Sequence, residues 1–145
     1  MTEIDQTAAV TSAKQTEIDA APETVWDVLT AVERWPAWNP EVKSIEIDGD
    51  FAEGATFRWR AGGTRLVSQV SQADRGRVAA WTGRTMGISA VHVYRFERRG
   101  ERTLVTTEES FDGLVARVLR RPLKKTLDAA LEDGLEHLKK ESERR

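Results

Sequence analysis

The chain has 145 residues, of which 39% are hydrophobic and 32% are charged, and its 22 basic and 24 acidic side chains nearly balance. These values are typical of one soluble domain with one hydrophobic core. The absence of cysteine excludes disulfide bonds, thiolate nucleophiles and cysteine metal sites. No segment is apolar enough to span a membrane, and the first residues show no signal-peptide pattern, so we expect a cytoplasmic protein.

The charges are unevenly distributed along the chain. Residues 1–50 carry 11 acids and 3 bases, whereas residues 113–145 carry 6 acids and 9 bases. Solvated faces are one interpretation, and a basic patch for an anionic partner is the other. No stripe of bases is interleaved with stacking aromatic residues, so we expect no nucleic-acid partner.

The N-terminal part predicts a tail, a strand and two short helices. Residues 1–11 are polar and aperiodic, which predicts a disordered tail and leaves residues 12–145 as a single domain. Residues 12–19 can form a first strand. Pro22 suits the first turn of a short helix, and Val32 to Trp38 predict a second helical segment.

From Val42 onward, turn signals containing glycine alternate with runs rich in valine, threonine, isoleucine and aromatic residues. These runs predict six further strands, at residues 42–48, 55–61, 64–72, 77–83, 88–98 and 102–111. With the first strand, the sheet would have about seven strands.

The two best-marked hairpins predict which side chains share a face. A turn at Gly62-Gly63 pairs Trp59 with Leu66 and places Phe57 on the same, concave face. A turn at Arg99-Gly100 pairs His92 with Thr107 and places Tyr94 and Glu109 on that face, with Glu109 diagonal to His92. A slip of one residue would invert these faces.

The last part of the chain predicts a long helix. Leucine and valine recur at helical spacing from Leu114 through Val118, Leu119 and Leu127 to Leu138, and Pro122 predicts a kink. This apolar face must be covered, and the strands are the only candidate. A long helix on a curved antiparallel sheet leaves a hollow where a small molecule can bind.

The order of these elements resembles the START-like (SRPBCC) superfamily, in particular its polyketide cyclase/dehydrase branch. The residues that carry the resemblance are Ala21–Leu29, Trp35–Pro40, Gly54–Phe57, Trp81–Gly83, His92–Phe96 and Glu109–Gly113. The resemblance implies an α+β helix-grip fold, in which a curved antiparallel sheet wraps around a long kinked C-terminal helix. The superfamily includes cyclases, lipid and hormone carriers and chaperone co-activators, so it implies no single activity.

His92 is the leading candidate for chemistry, with Tyr94 and Glu109 on the same predicted face. A nearby carboxylate would raise the pKa of the imidazole, whereas burial would lower it. The three side chains form a candidate catalytic set for general acid–base chemistry, or they orient a bound hydroxyl or carbonyl group. A polar pair that only satisfies itself in the cavity wall is the alternative.

The other candidate site residues are those predicted to line the hollow. The full candidate ligand-binding set is Trp38, Phe57, Trp59, Leu66, Trp81, His92, Tyr94, Glu109, Val118 and Leu127. Two separated histidines give no metal-ligand spacing and no phosphate-binding glycine loop is present, so we expect no metal and no cofactor.

Three functions remain open. The first is binding of a small hydrophobic molecule, aromatic polyketide-like or lipid-like, in the hollow. The second is a cyclase- or dehydratase-type enzyme acting on that molecule. The third is a protein-interaction module whose hollow is collapsed and filled by tryptophan side chains. The sequence leaves the oligomeric state open.

Overall fold

The computed structural model describes residues 2–145. Its elements in chain order are β1 Val10–Ile18, α1 Pro22–Thr30, a 3-10 turn Val32–Arg34, α2 Trp35–Trp38, β2 Val42–Ile47, β3 Thr56–Ala61, β4 Thr64–Asp74, β5 Val78–Thr85, β6 Ile88–Arg99, β7 Arg102–Asp112, α3 Leu114–Val118 and α4 Arg120–Glu143. The seven strands form one antiparallel sheet in the order β1-β7-β6-β5-β4-β3-β2. The predicted α+β helix-grip fold is confirmed.

The hairpins set the faces of the sheet. The predicted β3–β4 register is confirmed, with Trp59 opposite Leu66 and Ala61 opposite Thr64. The β6–β7 hairpin closes between Arg99 and Arg102, so its pairing lies two residues beyond the predicted one. Gly100 lies inside the two-residue turn in both registers, and in the observed one it takes the first turn position with a positive φ of 63°. A shift of two keeps every side chain on its predicted face.

The concave face of the sheet holds the main core. Phe57, Trp81 and Val105 are buried there, α1 contributes Val25 and Leu29, and α4 covers them with Leu135 and Leu138. A smaller cluster joins Val10 of β1 to Leu127 and Leu131 of α4. Helix α4 therefore lies along the sheet and contacts it from Leu127 to Leu138.

The C-terminal helix is interrupted at Leu119, three residues before Pro122. Proline has no N–H to donate to the carbonyl of Val118, and its ring clashes with that carbonyl in a continuous helix. The chain avoids this conflict by ending α3 at Val118 and starting α4 at Arg120. Pro122 then lies in the first turn of α4, where a missing N–H leaves no bond unmade.

The predicted apolar face does not continue through α3. Leu114, Val118 and Leu119 are 76%, 74% and 46% exposed, whereas Ala116 is the buried residue of that helix. The break at Leu119 gives α3 and α4 separate orientations, so the helical spacing that joins the two segments in the sequence does not join them in space. The inclusion of Leu114, Val118 and Leu119 in the covered face was wrong.

The N-terminal segment also differs from its prediction. Strand β1 begins at Val10, inside the range predicted to be a disordered tail. Before it, Ile4 is buried against Val78, Ala80 and Val93 on the convex face of the sheet. The Thr2 N–H donates to Gln72 Oε1 at 2.7 Å, and Arg95 Nη2 donates to the Thr2 carbonyl at 3.2 Å. A single apolar side chain, that of Ile4, therefore packs this otherwise polar segment against the sheet.

Candidate functional site

A cavity of about 640 Å³ lies between the concave face and α4. Its lining is mainly apolar. From the sheet and the N-terminal helices it takes Leu29, Trp35, Trp38, Val42, Trp59, Ala61, Leu66, Trp81 and Phe111, and from α4 it takes Leu127, Ala129, Ala130, Leu131 and Gly134. Polar side chains occur in two places. His92, Tyr94 and Glu109 form one group, and Asn39, Glu41, Lys125, Thr126 and Asp133 account for the remainder.

Aromatic rings form the wall on the sheet side. The Trp35 ring packs against those of Trp59 and Trp81, with centroids 5.3 and 5.6 Å away. Tyr94 stacks on Trp81 at 5.6 Å and on His92 at 4.8 Å. The indole N–H of Trp35 donates to the Leu29 carbonyl at 2.7 Å, and that of Trp59 donates to Ser68 Oγ at 3.0 Å. These bonds fix the rings that face the cavity.

Small residues line the cavity on the α4 side, and their small side chains leave the space between the helix and the sheet unfilled. Ala129, Ala130 and Gly134 of α4 all border the cavity. A Cβ atom on Gly134 would meet the Tyr94 hydroxyl oxygen at 3.7 Å, an ordinary van der Waals contact. Large residues on the sheet and small residues on the helix therefore keep the two layers apart without filling the gap.

His92 and Glu109 are direct cross-strand neighbours on β6 and β7, not diagonal ones. His92 Nδ1 lies 3.4 Å from Glu109 Oε1, and His92 Nε2 lies 2.8 Å from Thr107 Oγ1. The side chains of His92 and Glu109 are only 14% and 16% exposed. The imidazole is therefore held on both nitrogen atoms, which fixes its orientation toward the cavity.

Burial decides the charge of this group. It lowers the pKa of His92 to about 3 and raises the pKa of Glu109 to about 8, because a charged form loses hydration in an apolar site. Burial also raises the pKa of Tyr94. Of the two influences that the sequence predicts for His92, desolvation outweighs the carboxylate. At neutral pH the group consists of a neutral imidazole, a largely protonated carboxyl and a phenol.

The structure brings most of the predicted site residues together. Trp38, Trp59, Leu66, Trp81, His92, Tyr94, Glu109 and Leu127 all line the cavity. Phe57 does not, because it is fully buried behind the wall in contact with Trp35 and Trp81. Val118 does not either, because the helix break turns it to the surface, where it is 74% exposed.

Sequence reasoning missed several lining residues. Trp35 is one of them, because the sequence placed it only within the second predicted helical segment, Val32 to Trp38. Ala129, Ala130 and Gly134 were missed because alanine and glycine carry no hydropathy signal for a cavity. A face of α4 on which these small residues alternate with Leu127 and Leu131 is the pattern that marks a helix facing a hollow.

Residues 2–145 contain no group of three or more histidine, aspartate or glutamate side chains that could hold a metal ion. In the same described part of the chain, no helix is long and apolar enough to cross a membrane.

Several solved structures share this fold. A hypothetical protein from Helicobacter pylori has a TM-score of 0.84 at 15% identity, over 98% of this chain and 97% of that chain. A START superfamily protein from Mycobacterium smegmatis has a TM-score of 0.80 at 18% identity, over 92% and 97%. An aromatase/cyclase from Streptomyces sp. R1128 has a TM-score of 0.81 at 18% identity, over 93% and 94%. At these identities the likeness is one of fold.

A family-profile match over nearly the whole chain, together with these shared folds, confirms the predicted resemblance to the START-like superfamily. A search of curated proteins found no sequence match. A profile described as polyketide cyclase / dehydrase and lipid transport matches residues 9–143, which is nearly the whole chain. This chain belongs to the polyketide cyclase / dehydrase and lipid transport family.

Proposed function

We propose that this protein binds a small hydrophobic molecule, aromatic polyketide-like or lipid-like, in the cavity between the sheet and α4. The observation that carries the proposal is the open, mainly apolar cavity of about 640 Å³. Ligand sites in proteins commonly measure about 300–1,000 Å³ and combine an apolar lining with a few polar groups. A collapsed hollow, as the interaction-module hypothesis requires, would lack this volume.

The lining supports a ligand with flat apolar rings or chains and one polar group. Trp59 and Trp81 offer ring surfaces, and aromatic side chains pack well against other ring systems. The uncharged side chains of His92, Tyr94 and Glu109 can donate a hydrogen bond to a hydroxyl or carbonyl group of the ligand, or accept one from a hydroxyl group.

Binding can be measured with anilinonaphthalene sulfonate and with a polycyclic phenol such as emodin. We expect roughly micromolar dissociation constants for these unoptimised probes and quenching of tryptophan fluorescence. Ala130→Trp should fill part of the cavity and weaken binding about tenfold or more. Trp59→Phe should remove part of the quenching, because Trp59 borders the cavity.

The matched control is Ala13→Trp, which adds the same side chain at an exposed position of β1 outside the cavity. It should bind the probes like the wild type. If neither probe binds the folded wild type, or if Ala130→Trp and Ala13→Trp bind them equally, ligand binding in this cavity is excluded and the interaction-module hypothesis is favoured.

The uncharged His92–Glu109 pair facing the cavity favours a second candidate, an enzyme of the cyclase or dehydratase type. In a dehydration, the protonated Glu109 would give its proton to a leaving hydroxyl group as the C–O bond breaks. With its Nδ1–H directed at Glu109 Oε1, His92 would take the proton from the adjacent carbon on Nε2, in place of the bond to the Thr107 hydroxyl, as the C=C bond forms and water leaves. The His92–Glu109 distance of 3.4 Å lets both groups act on one small ligand.

A ring-fused β-hydroxy ketone serves as a surrogate substrate, because loss of water gives a conjugated enone with strong ultraviolet absorbance. Glu109→Gln should slow this reaction about a hundredfold, the usual contribution of a general acid. Glu101→Gln changes an exposed turn carboxylate and should leave the rate unchanged. A wild-type rate equal to that in buffer would exclude the dehydratase hypothesis and leave probe binding unaffected.

A further inference from the structure

Exposed apolar side chains are concentrated on one surface of this molecule. Five large hydrophobic residues are exposed among residues 2–145, and four of them are Met86, Leu114, Val118 and Leu119. The first three are 87%, 76% and 74% exposed. We call these four residues, together with Arg120 and Arg121, the α3 surface. The fifth exposed residue, Val67, lies on β4 and is 49% exposed.

The fold holds the parts of the α3 surface together. The Val115 N–H donates to the Gly87 carbonyl at 3.3 Å, so the β5–β6 turn that carries Met86 is attached to α3. Gly113 approaches the same turn so closely that a Cβ atom would lie 2.4 Å from the Gly87 carbonyl oxygen. The exposed side chains therefore belong to a built surface rather than to a loose loop.

The same surface is strongly basic. Residues 114–125 contain five bases and no acid. Arg117 pairs with Asp112 and Lys124 with Asp128, at 3.3 and 3.0 Å. Arg120, Arg121 and Lys125 form no ion pair with any of residues 2–145, and all three are exposed.

Exposed leucine, valine and methionine side chains beside unpaired arginines are the combination that binds the interface of an anionic lipid bilayer. The apolar groups insert below the headgroups, and the bases contact the lipid phosphates and carboxylates. An acidic protein surface would satisfy the arginines but would gain nothing from apolar side chains this exposed unless it were itself apolar. A bilayer with anionic lipids supplies both parts.

We propose that the α3 surface docks this protein on membranes that contain anionic lipids. The proposal goes beyond ligand binding and does not depend on it. It also has a geometric consequence. Phe111 and Lys125, which flank the surface in the chain, both line the cavity. A protein docked in this way holds one part of its cavity wall next to the lipid.

Flotation with lipid vesicles tests the proposal. Wild-type protein should float with vesicles of phosphatidylcholine containing about 30 mol% phosphatidylglycerol, but not with phosphatidylcholine alone. The double variant Arg120→Gln/Arg121→Gln should bind the mixed vesicles about tenfold or more weakly. Leu114→Ser/Val118→Ser should weaken binding as well, and neither pair of substitutions should change the melting temperature, since all four side chains are exposed.

The matched controls make the same changes of charge or hydropathy at positions outside the α3 surface. Arg60→Gln/Arg65→Gln removes two exposed arginines from the convex side of β3 and β4, and Val67→Ser removes the fifth exposed hydrophobic side chain. Both should bind like the wild type. If the wild type does not float with the mixed vesicles, as an interaction with a protein partner would predict, the proposal is overturned. It is also overturned if the control and the α3 variants lose binding equally.

Discussion

Glu109 and His92 form a buried pair in which the carboxyl holds a proton and both side chains are uncharged at neutral pH. The pKa of Glu109 rises from its ordinary 4.5 to about 8, and the pKa of His92 falls from 6.5 to about 3. Burial causes both shifts, and both favour the neutral form. General acid–base chemistry works best when the pKa lies near the working pH, so the raised pKa of Glu109 suits an acid at neutral pH, whereas the lowered pKa of His92 makes its imidazole a weak base.

These shifts predict a dependence of stability on pH. Between about 4.5 and 8, folded Glu109 holds a proton that the unfolded chain releases, so its contribution to stability is lost as the pH rises. Between about 3 and 6.5 the unfolded chain binds a proton that folded His92 does not, so the contribution of His92 is lost as the pH falls. The two slopes oppose each other where the windows overlap, and above pH 6.5 only the Glu109 slope remains.

Urea unfolding from about pH 6 to 8.5 measures this slope, which can reach ~1.4 kcal/mol per pH unit. Glu109→Gln should abolish the loss of stability on the alkaline side, whereas Glu101→Gln, in an exposed turn, should keep it. The nuclear magnetic resonance signals of the His92 ring should show a neutral imidazole at neutral pH. A charged ring in the folded protein would mean that the pair is ionised and that burial does not dominate.

The strands and helices show which sequence signals are sufficient to predict the fold and which are not. Strands β2 to β7 follow from turn residues and β-branched runs, and the β3–β4 register follows from Gly62-Gly63 alone. The β6–β7 register differs by two residues, because Arg99-Gly100 and Gly100-Glu101 are both acceptable turns and only the neighbouring strands decide between them. A shift of two residues leaves each side chain on the same face of the sheet, so the placement of His92 and Glu109 on the concave face was predictable.

Helix α3 shows where the helical spacing of apolar residues fails to predict the buried face. Leu114 and Val118 continue the leucine pattern of α4 in the sequence, but the break at Leu119 gives them a different orientation. Pro122 signals a kink, yet its position alone does not give the angle between the segments, which depends on how Val115 and Gly113 pack on the β5–β6 turn. For this reason Val118 does not line the cavity, and the exposed apolar surface could not be predicted from the sequence.

At the scale of the whole molecule, the two faces of the sheet are covered in different ways. The concave face is covered by α4, which leaves the cavity, whereas part of the convex face is covered by residues before β1. Ile4 packs on Val78, Ala80 and Val93, and the latter two side chains are fully buried beneath the segment. The Asp5 N–H adds a bond to Ser110 Oγ at 3.3 Å. The composition of this segment predicts disorder, and the contact rests mainly on one isoleucine.

Ile4→Ala tests whether this cover contributes to stability. Loss of the buried side chain should lower the free energy of unfolding by about 2 kcal/mol, the low end for truncating a buried isoleucine, since the cluster is small and peripheral. Gln6→Ala changes an exposed residue of the same segment and should stay within about 0.5 kcal/mol of the wild type. Probe binding in the cavity should be unchanged in both variants, because Ile4 lies on the opposite face of the sheet from the cavity. If Ile4→Ala unfolds at the same urea concentration as the wild type, the burial of Ile4 on the convex face contributes nothing to the stability of the fold.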